Sequence, residues 1–112
     1  MSRRKHKTRP SHGHDSHHLL WTRKTWDKGF KLLLRRAFVY DLPLDIHQQL
    51  HASVKPIPPL EEEEARWLWE QYKLVDRELD LFEALEWLRS HAPNSQFAIA
   101  IMAEQGFLQN YL

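Results

Sequence analysis

Two histidines four residues apart, His47-x-x-x-His51, form the most suggestive chemical spacing in this 112-residue chain. On a helix that spacing puts both imidazoles on one face about one turn apart, where their neutral rings can share a tetrahedral cation. Two ligands hold an ion loosely, so a third has to come from elsewhere. The adjacent pair His17-His18 can supply it if it lies on a strand packed against that helix. Successive strand side chains point to opposite sheet faces, so His17 and His18 cannot both join the ion and must do different jobs. Cysteine is absent, which excludes disulfides, thiolate catalysis, iron–sulfur clusters and Cys-type zinc fingers; any metal must be held by histidine. Seven of the eight histidines lie in the first 51 residues.

The elements that would have to position these groups can be read from the pattern of apolar residues. His17-His18-Leu19-Leu20-Trp21-Thr22 reads as a short strand. Thr25 is placed to cap a helix whose apolar face carries Trp26, Phe30, Leu33 and Leu34, with Lys28, Lys31, Arg35 and Arg36 outward and Gly29 in its middle. Ala37–Leu42 is aromatic and β-branched and stops at Pro43, as a second strand. Leu44 to about Ser53 has helical spacing, with Pro43 suited to the first turn. Lys55-Pro56-Ile57-Pro58-Pro59 must be extended.

Beyond that point nearly everything is helical. Glu61–Glu64 load a first turn with negative charge, ahead of an apolar face predicted as Leu60, Trp67, Leu68, Tyr72 and Val75, with Trp69 off the face. The pattern breaks near Asp76–Asp80, and Asp80 with Glu83 reads as a capping box. A last helix runs from Gln96 to about Gln105, with Phe97, Ile101 and Phe107 or Leu108 inward and Gly106 as its C-cap. The fold class expected is α+β: a disordered basic tail over residues 1–16, a small two-strand-plus-helix core over 17–54, a Pro-rich linker over 55–59, and a helical region over 60–112 packing on that core as one domain.

The net charge of +1 conceals an asymmetry. Residues 1–36 hold eleven Lys and Arg against two Asp, whereas residues 60–112 hold four against eleven Asp and Glu, so +9 at one end faces −7 at the other. A basic segment interleaved with Trp21 and Trp26 suits a phosphate backbone. The candidate nucleic-acid contacts are Arg3, Arg4, Lys5, Lys7, Arg9, Arg23, Lys24, Lys28, Lys31, Arg35 and Arg36. The longest apolar run, Phe97–Ala103, falls far short of the roughly 20 residues that cross a bilayer. No apolar signal core follows the basic start. The expectation is a cytoplasmic protein of a bacterium or its phage, with no membrane partner.

The order His17-His18, a strand ending Val39-Tyr40-Asp41-Leu42-Pro43, then a helix with His47-x-x-x-His51, resembles the HNH or His-Me finger nuclease family over about residues 17–51. That resemblance implies two short strands and a helix around one metal ion. It matches His18 to the general base that activates water, and His17, His47 and His51 to the metal ligands. An all-imidazole site favours zinc, with nickel, manganese or magnesium as other possibilities. The implied function is a metal-dependent endonuclease, a hydrolase of phosphodiester bonds acting on DNA, or a nuclease-derived nucleic-acid-binding protein. The competing expectation is a non-enzymatic interaction protein, such as an inhibitor or accessory factor of the anti-CRISPR kind, using the acidic 60–112 half to bind a partner protein. A third is a metal-free DNA-binding regulator using the Thr25–Arg36 helix.

Overall fold

The computed structural model describes residues 13–111. Its first element, β1 (His14–His18), pairs antiparallel with β2 (Val39–Pro43) in a two-stranded sheet, with His17 opposite Tyr40 and Asp15 opposite Leu42. The strand thus starts three residues earlier than its apolar pattern predicts and takes in residues 14–16, which carry the composition of the tail. Leu19 and Leu20 are apolar because they drop into the core, at 0% and 2% exposure, after the ladder has ended. The ladder is a backbone property, and its length here is set by the partner strand rather than by hydrophobic side chains. Gly13 precedes β1 with φ of 77°, a left-handed turn conformation that a side chain would strain. Its carbonyl accepts from the Leu44 amide at 3.0 Å and ties the start of β1 to the start of the following helix.

Helix α1 (Lys28–Ala37) lies between the two strands. Its cap is Asp27 rather than Thr25: the Asp27 carboxylate accepts from the Phe30 amide at 3.1 Å, so Gly29 falls in the first turn. Trp26, Phe30 and Leu34 are buried at i, i+4 and i+8 along a four-residue row, but Leu33, about 100° around the helix from Leu34, is 51% exposed. The polypeptide passes from β2 directly into α2 (Leu44–Ser53), with Pro43 at the N-cap. Residues 55–60 are extended, as their prolines require, yet Ile57 and Leu60 are buried, so this strap belongs to the same core as the elements it joins.

Helix α3 (Glu62–Tyr72) begins with a reciprocal capping box between Glu61 and Glu64. It buries Ala65 and Leu68, with Trp69 and Tyr72 packed beside them. Trp67, expected inward, is 47% exposed, while Trp69, expected off the face, packs against the core. Small Ala65, one turn ahead of Trp69, defines the stripe at i, i+3, i+4 and i+7 and rotates Trp67 out. Helix α4 (Leu81–Ser90) starts at the predicted Asp80–Glu83 capping box. Helix α5 (Ser95–Gln109) is capped by Asn94, whose side chain accepts from the Phe97 amide at 2.8 Å. Gly106 lies inside α5 and is not its C-cap, because burial of Leu108 keeps the helix wound for another turn. The result is a small α+β fold in which α4 and α5 pair while α2 packs on both strands and on α5. Among the described residues no helix is long and apolar enough to cross a membrane.

Candidate metal centre

Strand alternation sends Asp15 and His17 to the face of the sheet that receives α2, and Ser16 and His18 to the other. On α2 the four-residue spacing aligns His47 and His51 on the side turned toward β1. His17, His47 and His51 meet there, each offering a ring nitrogen within 4.8 Å of the others, close enough to bind a metal ion. The ring centroid of His17 lies 5.1 Å from that of His47 and 5.6 Å from that of His51. Burial falls steeply across the cluster: His17 is 2% exposed, His47 is partly buried and His51 is open to solvent. Such a site has a rigid floor and one side that water or a ligand can reach.

Hydrogen bonds orient the rings. The His47 Nδ1–H donates to Asp15 at 3.0 Å, and this bond holds the Asp15 carboxyl below its usual range, so it accepts as a carboxylate. That leaves His47 Nε2 with its lone pair, 2.9 Å from His51 Nε2. Nitrogens bound at roughly 2.0–2.1 Å to one tetrahedral zinc lie about 3.3–3.4 Å apart, so an ion needs these two rings to open by only a few tenths of an ångström. Partial burial, then the neighbouring His47 and His17, lower the pKa of His51 and favour the neutral form in which imidazole ligates. His17 Nε2 is engaged by Glu104 of α5 at 2.5 Å. His17 Nδ1 is the buried side-chain atom without a hydrogen-bond partner among the described residues. A buried polar nitrogen left alone costs about 1–3 kcal/mol, and a cation at this point offsets that cost. The donor set of three imidazoles, two of them bonded to carboxylates behind, fits a borderline divalent ion.

Comparison with family models, with curated proteins and with solved structures returns no match.

On the opposite sheet face His18 is half-buried beside the Trp21 ring, 5.5 Å away between centroids. It lines a cleft of about 470 Å³ with Ser16, Leu32, Arg35, Arg36 and Val39. Burial first, then the Arg35 guanidinium, then His17 and His47, push its pKa below the usual histidine value, so a neutral ring able to take a proton is favoured. Of the basic residues singled out in the sequence, Arg35 and Arg36 stand at this cleft, and Lys24 and Lys28 are exposed elsewhere on the same segment. Lys31 is half-buried. Arg23 is committed elsewhere, donating to the Leu60 and Pro59 carbonyls and pairing with Glu61. Arg3, Arg4, Lys5, Lys7 and Arg9 lie outside the described residues.

Two members of the site escape sequence reading. Asp15 falls in a segment whose composition reads as a tail, although its i, i−2 relation to His17 is the signal once the strand is extended backward. Glu104 was counted only as one charge of an acidic half. Its signal is positional: Phe97, Ile101, Glu104 and Leu108 form one inward stripe of α5, and a carboxylate on an otherwise apolar stripe needs a buried partner.

Proposed function

We propose that the protein is a metal-dependent phosphodiesterase of the ββα-metal kind, acting on nucleic acid. The observation that carries this reading is the convergence of His17 from a strand with His47 and His51 from the helix that follows the second strand, while His18, the next residue of that strand, lines a basic cleft on its other face. Zinc is the ion best suited to three imidazoles, bound by His17, His47 and His51; when bound it supplies positive charge against the scissile phosphate. His18 takes the proton of the attacking water as its oxygen bonds to phosphorus, and the departing ribose or deoxyribose oxygen is protonated from solvent. Arg35 and Arg36 hold the phosphate backbone across the cleft, the sequence-independent contact that gives salt-dependent affinity.

The reading of the acidic half as a partner-binding surface has less behind it, because its charges are largely used at home. Glu62 pairs with Arg66, Glu61 with Arg23, Glu83 with Arg77 and Glu86 with Arg89, while Glu64 accepts from Asn94 and the Glu61 amide. The deciding test is plasmid cleavage by purified protein with zinc, nickel, manganese or magnesium. Nicking with at least one ion, reduced about 100-fold or more in His18→Ala, is expected. No nicking with any ion overturns the enzymatic reading.

A further inference from the structure

Glu104 is the unusual group in the helical half. It is 4% exposed on the inward stripe of α5 and its carboxylate meets a histidine 87 residues earlier in the chain. A carboxylate buried this fully is retained only with a partner that satisfies it. The partner is the least exposed of the three clustered histidines, and the contact is made to one ring nitrogen only. Since a carboxylate accepts, His17 Nε2 must carry hydrogen and donate to it. The remaining nitrogen, Nδ1, is buried and has no hydrogen-bond partner among the described residues, and it belongs to a ring whose centroid lies 5.1 and 5.6 Å from those of His47 and His51. His47 shows the same arrangement in mirror order, with Nδ1–H given to Asp15 and Nε2 left for the ion.

We infer that Glu104 is a positioning residue of the metal centre: it fixes the His17 ring with Nε2–H inward and Nδ1 as the ligating atom, so the last helix is a working part of a site whose ligands all lie in the first 51 residues. This inference rests on the reading of His17, His47 and His51 as ligands. It also extends it, because the ββα segment then holds the ion poorly without α5. Carboxylate partners of ligating imidazoles set ring orientation and basicity, and their loss typically lowers metal affinity about 10–100-fold. Glu104 acts through His17, and it is excluded from the three-histidine group that can surround one ion.

The experiment compares the full-length wild type with Glu104→Gln and Glu104→Leu. It follows zinc affinity by competition with a chromophoric chelator, the visible spectrum of the cobalt-loaded protein, and the nitrogen-15 pattern of the His17 ring without metal. Gln keeps an acceptor and the shape, so Glu104→Gln should fold, retain the Nε2–H tautomer and lose affinity about 10-fold. Glu104→Leu removes the acceptor, so its His17 ring should show mixed tautomers, its affinity should fall about 100-fold, and its cobalt spectrum should shift toward higher coordination as water replaces a loosened imidazole. Wild-type affinity and cobalt spectrum in both Glu104 variants would overturn the positioning role and leave the metal site standing. Absence of zinc and cobalt binding by the wild type overturns the metal site itself and this inference with it. A His17 ring with hydrogen on Nδ1 in the metal-free wild type overturns the positioning role independently of any metal measurement.

Discussion

The two faces of β1 treat neighbouring histidines in opposite ways. His17 sits under α2 and α5, its ring pinned by Glu104 and removed from water, whereas His18, one residue on, stands in an open cleft with Arg35 and Arg36. The period-two geometry of a strand is enough to place one imidazole beneath the helices and the next at a cleft on the other face. The buried face therefore holds the three-histidine cluster, and the other face holds a half-buried imidazole in a cleft with two arginines.

The sharpest way to break that division is His17→Ala. It should abolish measurable zinc binding and, by stranding the buried Glu104 carboxylate, cost about 3 kcal/mol or more in stability, read from urea unfolding in chelator. If stability is unchanged, the two faces do not differ in the way described. Next in size is His18→Ala, expected to lower plasmid cleavage about 100- to 10,000-fold while leaving zinc affinity within about twofold by the same chelator assay; loss of zinc binding there would merge the two faces into one site. Arg35→Ala and Arg36→Ala should each weaken DNA binding and reduce the slope of log affinity against log salt by about 1, with melting unchanged in a calorimeter.

The smallest effect concerns pH. Tyr40, the cross-strand neighbour of His17, donates its hydroxyl to the Leu79 carbonyl at 2.8 Å. Burial, with help from Tyr72, Asp80, Glu78 and Glu83, raises its pKa above the ordinary value of 10.0. A group that binds its proton more tightly when folded contributes stability that is complete below the unfolded pKa and is lost as pH climbs past it. Urea midpoints of the wild type should therefore fall more steeply above pH 10 than those of Tyr40→Phe, and identical pH profiles would contradict the assignment.

How much of this was legible in the sequence divides along the same line. The His47–His51 pair and the Asp80 capping box depend on local spacing, which a sequence displays, whereas His17 joins the pair only through the expectation of a strand packed against that helix. The helix over 44–53 and the Pro-imposed strap followed for the same reason. What failed was register and facing. The β1 boundary depends on where Val39–Pro43 places its hydrogen bonds, and the rotation that exposes Trp67 depends on what packs against Ala65 and Leu68. Asp15 and Glu104 were missed because each acquires meaning only from a partner 32 or 87 residues away.

That last separation bears on when the centre comes into being. Bringing Glu104 to His17 closes a span of 87 residues, whose length-dependent entropy is roughly 4 kcal/mol, whereas His47 and His51 are aligned by a single helical turn. During synthesis the strands and α2 leave the ribosome well before α5. A nascent chain therefore carries three histidines with one ring still free to turn, and the completed site arrives only with the final helix. Order of emergence thus delays the oriented centre until the rest of the described fold is in place to hold it.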